Sequence, residues 1–113
     1  MKPHFSPYVV AGDLVFLSGQ LGFGPGGALA EGGIEGQTRA TLANVEAVLK
    51  TIGLGLGDIV KATVFITRSE DFALFNQTYA DVFGDHKPAR STVVTGLAVP
   101  GAVVEIEAIA KLR

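Results

Sequence analysis

Residues 59–67, Ile59-Val60-Lys61-Ala62-Thr63-Val64-Phe65-Ile66-Thr67, decide the fold. Val60, Ala62, Val64 and Ile66 alternate with Lys61, Thr63, Phe65 and Thr67, which is the period of a strand with one well-buried face. A helical pattern lies on either side. Upstream, Leu42, Val45, Leu49 and Ile52 recur at i, i+3, i+7 and i+10 and predict a helix over 34–52, with Val48 widening the stripe. Arg39, Glu46 and Lys50 fall off that stripe, and Gly53 suits the stop. Downstream, Ser69 reads as an N-cap with Glu70 and Asp71 in the first turn, where negative charge is favoured. Phe72, Phe75, Tyr79 and Val82 or Phe83 form the apolar stripe of this second helix, and Gly84 ends it.

Working outward, Tyr8-Val9-Val10, a turn at Ala11-Gly12-Asp13 and Leu14-Val15-Phe16-Leu17 predict a β-hairpin. The glycine-rich stretch 22–33, with Pro25, is a loop. Pro88 precedes a strand over 90–95, and Pro100-Gly101 marks another loop. The last strand, 103–112, sets Val104, Ile106, Ala108 and Ala110 against Val103, Glu105, Glu107, Ile109 and Lys111. The order is ββαβαββ. Helices between strands demand crossover connections, and the strand pairs at the two ends of the chain are expected to be antiparallel. The expected architecture is one α+β domain over residues 1–113, a mixed sheet with two helices packed on one face.

The composition narrows the function. The chain has 113 residues, 48% hydrophobic and 18% charged, against a typical charged share of about 25%. That balance argues against disorder. The mean hydropathy of +0.40 is high for so short a chain and points to surface buried against other subunits. Nine Lys and Arg against eleven Asp and Glu give −2, which is no footprint for nucleic acid. The absence of cysteine excludes disulfides, zinc–thiolate sites and a cysteine nucleophile. The start lacks a signal-peptide core, and the longest uncharged stretch, 14–30, carries five glycines and a proline. A soluble, cytoplasmic protein without a membrane partner is expected.

Several candidate sites have plain structural readings. Gly22-Phe23-Gly24-Pro25-Gly26-Gly27 matches G-x-G-x-x-G, but the helix starts too late and Pro25 lacks a backbone donor, so the match is coincidental. His4 and His86, the only histidines, read as solvent-exposed and non-catalytic rather than as an acid–base pair for RNA cleavage. Ser18-Gly19-Gln20 is either a strand end or bulge, or a place where a ligand approaches the backbone. The last two strands say more. Pro88-Ala89-Arg90-Ser91 puts an arginine at a strand start, and Glu105 and Glu107 share a face, about 6.6 Å apart. Two carboxylates on an apolar strand are costly unless paired or exposed. Solvent or a cationic partner accounts for them; so does a cleft in which an arginine holds a carboxylate and a glutamate acts as base.

With these residues in view, the chain resembles the Rid family of reactive intermediate deaminases, also called the YjgF family. The main carrier is residues 88–110, PARSTVVTGLAVPGAVVEIEAIA, with Arg90, Gly96 and Val104-Glu105-Ile106 at the signature positions. Ser6-Pro7-Tyr8, Leu17-Ser18-Gly19-Gln20, Ala43-Asn44-Val45, Gly57-Asp58-Ile59-Val60-Lys61, Asn76 with Tyr79, and Phe83 match in family order.

The resemblance implies a chorismate-mutase-like fold and a homotrimer, with a central barrel of sheets, helices outside and three clefts between subunits. It implies hydrolysis of 2-imino and 2-enamino acids to 2-oxo acids and ammonia. Carried over by position, Arg90 would hold the substrate carboxylate and Glu105 would activate water. Tyr8, Ser18, Gly19 and Thr92 would line the cleft or contact substrate, and Asn76 would lie near it. No cofactor is implied, because an imine carbon is already electrophilic. Thr92 departs from the cysteine found in many members. The alternatives are a small-carboxylate-binding regulatory trimer, which needs Arg90 but not Glu105, and an RNA-cleaving translation inhibitor, which the acidic balance disfavours.

Overall fold

The computed structural model describes residues 3–113. Five strands form one sheet: β1 (Tyr8–Ala11), β2 (Leu14–Leu21), β3 (Ile59–Ile66), β4 (Ala89–Val94) and β5 (Val104–Lys111). Two helices, α1 (Gly33–Lys50) and α2 (Phe72–Phe83), connect β2 to β3 and β3 to β4. The spatial order is β1-β2-β5-β3-β4, with β3 and β4 parallel and every other adjacent pair antiparallel. Both helical crossovers therefore step across the sheet in the same direction. Right-handed connections then put both helices on one face, as the ββαβαββ order implied.

One pairing departs from expectation. β4 and β5 are not neighbours: β4 is an edge strand parallel to β3, while β5 lies between β2 and β3. The β3–α2–β4 crossover claims the outer edge of β3, and β5 fills the gap that the longer α1 crossover leaves. Gln37 of α1 helps to seat β5. Its buried side chain donates to the Gly101 carbonyl (3.0 Å) and accepts from the Val103 N–H (2.9 Å), fixing the chain just before the strand begins.

The core lies between sheet and helices. Leu42, Val45 and Leu49 of α1 and Phe75, Tyr79 and Phe83 of α2 are buried there. They meet Val104, Ile106, Ala108 and Ala110 of β5, the face read from the alternation. Each fully buried aliphatic side chain of this set contributes about 1.5–3 kcal/mol. β3 follows its alternation from Ala62 onward, but Ile59 is buried and Val60 exposed. A register irregularity between Ile59 and Lys61 against β5 shifts the first residue onto the core face.

The helix ends also differ in detail. α1 stops at Lys50, and the turn after it is closed by the Leu54 N–H on the Leu49 carbonyl (2.9 Å), with Gly53 at φ 74°. Ser69 does not cap α2. Residues Ser69–Asp71 form a separate 3₁₀ turn, and the Ser69 hydroxyl donates to the Glu70 carboxylate (3.1 Å). Gly84 ends α2 as read, at φ 63°.

Candidate active site

The register assigns every candidate to a face of the sheet. Arg90 is paired with Ala62 and Thr92 with Val64, both buried beneath the helices, so Arg90 and Thr92 belong to the helix side of β4. Glu105 is paired with Phe65 and Glu107 with Thr63, so both glutamates stand on the open side of β5. The two residues proposed to do the chemistry thus leave the sheet in opposite directions, from strands separated by β3.

Arg90 is half-buried and enclosed by α2. Its guanidinium donates to Asn76 Oδ1 at 2.6 Å. The guanidinium carbon lies 4.9 Å from the Tyr79 ring centroid and 5.3 Å from that of Phe75. Among the described residues every one of its partners is neutral, so the positive charge is held in place without being neutralised. An arginine in this state is suited to receive an anion, since its fork matches a carboxylate with two parallel hydrogen bonds. Arg90 and Asn76 line a depression of about 370 Å³ with Tyr79, Phe83, His86 and Pro88.

Glu105 borders a second depression, of about 350 Å³, with Phe5, Leu17, Ser18, Gly19 and Glu107. Ser18 and Gly19 lie where the pairing of β2 with β5 shifts between Leu17 and Gln20, so the bulge and the site coincide. The Glu105 carboxylate packs directly over Gly19, in space that a Cβ would take. The absence of a side chain at residue 19 is what lets the carboxylate lie there. The Ser18 hydroxyl donates to the Ser6 carbonyl (2.5 Å), which ties the amino-terminal segment to the rim. Burial first, and then the charge of Glu107, push the Glu105 carboxyl above its ordinary value.

Two groups therefore form: Asn76 with Arg90, and Thr92 a step along the same strand face; and Ser18 with Gly19 and Glu105. Tyr8 lines neither depression. It pairs with Leu17 and packs, partly buried, against the edge of the core. The sequence reading placed Phe75 and Tyr79 in the core stripe and matched Tyr79 to the family pattern without giving it a role; in the structure both rings also carry the arginine. Their position flanking Asn76 on α2 was the available signal. His86 is not the solvent-exposed histidine expected. It is partly buried, with Nε2 2.7 Å from the Ile59 carbonyl. His4 is exposed.

Other matched motifs brace the site from outside. Asn44 donates to the carbonyls of Leu21 (2.8 Å) and Phe23 (2.9 Å), holding the loop that leaves β2. Asp58 accepts from the Gly55 N–H (2.8 Å) and from Arg113 (2.9 Å), tying the entry of β3 to the carboxyl end of the chain.

The fold and the two half-sites define an α+β protein with an unneutralised arginine on one side of its sheet and a partly buried glutamate on the other. The profile of the family described as Endoribonuclease L-PSP matches residues 2–112, and the chain belongs to this family, the Rid or YjgF proteins. It is 43% identical over 114 residues to the 2-iminobutanoate/2-iminopropanoate deaminase of Salmonella typhimurium, covering 95% of this chain and 88% of that one. It is 39% identical over 107 residues to the RutC family protein PH0854 of Pyrococcus horikoshii, covering 94% and 85%. The crystal structure of Escherichia coli TdcF with bound serine superposes with a TM-score of 0.89 at 38% identity, covering 100% of this chain and 91% of that one.

Proposed function

We propose that the chain is a hydrolytic deaminase of small 2-imino and 2-enamino acids, working as a homotrimer whose clefts join the Arg90 side of one copy to the Glu105 side of the next. The observation that carries this reading is Arg90 itself: a half-buried cation fixed by neutral groups and left open to an anion. The naming of a similar protein as an imine deaminase and the serine bound to TdcF support a small amino-acid-like carboxylate as the ligand class.

In this reading the substrate carboxylate sits on the Arg90 fork. Glu105 removes a proton from water as the water oxygen bonds to C2 of the imine, and the imine nitrogen takes up a proton. The resulting carbinolamine loses ammonia as its hydroxyl becomes the carbonyl of the 2-oxo acid. Water supplies the oxygen, and no oxidant or reductant is needed. The raised pKa of Glu105 makes it a stronger base than an ordinary carboxylate. Thr92 has no nucleophilic part in this scheme, so a hydroxyl in place of a thiol is compatible with it.

The trimer draws support from the open face of the sheet. Phe16 and Val93 are exposed there, and Phe65 and Ile109 are only partly covered. These apolar side chains, which share the face with Glu105 and Glu107, are suited to burial against further copies of the chain. The net charge of −2 disfavours an RNA substrate.

The test is to generate 2-iminobutyrate in situ from threonine with a dehydratase, in the presence of semicarbazide to trap free imine. Release of 2-oxobutyrate is then followed with wild type, Arg90→Ala and Glu105→Gln. The deaminase reading predicts acceleration by wild type that both variants lose. Activity lost in Arg90→Ala but kept in Glu105→Gln would overturn the role given to Glu105, and a folded wild type that gives no acceleration would leave a carboxylate-binding protein.

A further inference from the structure

Building on the deaminase reading, we infer that Tyr79 is a positioning residue for Arg90: its ring, together with that of Phe75, is the platform that holds the guanidinium in the plane a carboxylate must meet. Phe75, Asn76 and Tyr79 fall at i, i+1 and i+4 of α2 and enclose the arginine from one helix. An acidic partner would hold the side chain as firmly but would cancel its charge. Aromatic faces attract the cation through the ring quadrupole and take up none of its in-plane N–H donors, of which Asn76 engages one.

Two further observations favour the ring over the hydroxyl. The Tyr79 hydroxyl is buried without a hydrogen-bond partner among the described residues, and the ring is itself backed by Phe83 at 4.5 Å between centroids. Burial raises the phenol pKa, which keeps the group neutral and no counter-ion to the arginine. Both rings belong to the core, but Phe75 is fully enclosed and Tyr79 keeps 8% of its surface exposed, so Tyr79 is the member of the pair that can be varied informatively.

The experiment compares Tyr79→Leu, Tyr79→Phe and a chain carrying pentafluorophenylalanine at this position, whose shape is that of Phe but whose ring quadrupole is reversed. Three readouts are taken: kinetics with 2-iminobutyrate, titration with 2-oxobutyrate as an unreactive carboxylate, and the Arg90 Nε–H resonance by NMR. Tyr79→Leu and the fluorinated ring are expected to raise KM and weaken 2-oxobutyrate about tenfold, with kcat changed less. Tyr79→Phe is expected to restore both, and the ring-current displacement of the Arg90 resonance to shrink in Tyr79→Leu, in which only the Phe75 ring remains. A fluorinated ring that behaves like Phe, or a Tyr79→Phe variant as impaired as Tyr79→Leu, overturns the platform. The fluorinated chain decides the matter if Tyr79→Leu does not fold. A wild type without deaminase activity would sink the deaminase reading, while the titration and the Arg90 resonance would still judge the platform.

Discussion

Arg90 and Glu105 leave the sheet on opposite faces, with β3 between their strands. An arginine that holds a carboxylate and a glutamate that activates water for the adjacent carbon must lie within one small molecule of each other. A single chain cannot bring these two together without unmaking its sheet. The proposed chemistry therefore requires a second copy, and the exposed Phe16 and Val93 of the open face supply a physical reason for copies to associate.

The elevated pKa of Glu105 has a kinetic and a thermodynamic consequence. As a base it must be ionised, so kcat/KM is expected to fall on acidification with a midpoint above 4.5, the ordinary value for glutamate. A pH–rate profile checks this, and a midpoint at or below 4.5 would contradict it. For stability the sign is the reverse. A folded pKa raised above the unfolded one favours the folded state at low pH, and that advantage is lost as pH rises through the folded value. Glu105→Gln is therefore expected to melt higher than wild type at pH 7, with the gain fading toward pH 4, as thermal melts across that range would show.

Gly19→Ala separates site geometry from fold. The added methyl would displace the Glu105 carboxylate, the far end of a side chain that can swing aside. Activity is expected to drop by about 100-fold, since small misplacements of a reacting group are costly. The melting temperature should scarcely move. A large fall in stability with activity retained per folded molecule would show that Gly19 serves the backbone instead.

Gly36→Ala should do the opposite. A Cβ there meets the Glu31 carbonyl, which belongs to the backbone and cannot swing away. A loss of about 1–3 kcal/mol in denaturant unfolding is expected, as for other overpacked positions. An unchanged midpoint would mean that the loop before α1 yields more easily than its geometry suggests.

The Asp58–Arg113 contact gives a second pH signature. The Arg113 hydrogen bond, and then the Gly55 N–H, hold the Asp58 carboxyl below its ordinary range. A depressed folded pKa stabilises above the unfolded value near 3.8 and is lost as pH falls through the folded one. Asp58→Asn is expected to lower the melting temperature by a few degrees at most at neutral pH, because Arg113 is largely exposed and solvent screens the pair. The difference should close below pH 3.8, and a difference that persists there would assign the effect to the Gly55 turn alone.

Much of the fold was legible because each element has one apolar face. The alternation in β5 named its buried residues correctly, and the stripes of α1 and α2 identified most of their core positions; Phe72, read into the second stripe, is exposed at the first residue of α2. The position of β4 was not legible, because which strand an edge strand joins depends on the crossover and not on its own six residues. Val60 was misassigned because one irregularity against β5 moves a residue to the other face, and alternation carries no mark of it. For the site, Arg90 and Glu105 stood out as charged residues in apolar strands, and their assignment to opposite faces required the register. The aromatic support of Arg90 was hidden because Phe75 and Tyr79 satisfy the core pattern as well as they satisfy the arginine.

The most direct measurement is complementation in trans. Arg90→Ala and Glu105→Gln, each inactive alone, would be mixed, dissociated under mild denaturant and reassembled, with subunit exchange verified by native mass spectrometry. If each cleft joins the arginine of one copy to the glutamate of its neighbour, random mixing restores both residues in about a quarter of the clefts. Imine hydrolysis should return to about that fraction of wild type. Verified mixed assemblies that stay as inactive as their parents would contradict a cleft shared between copies.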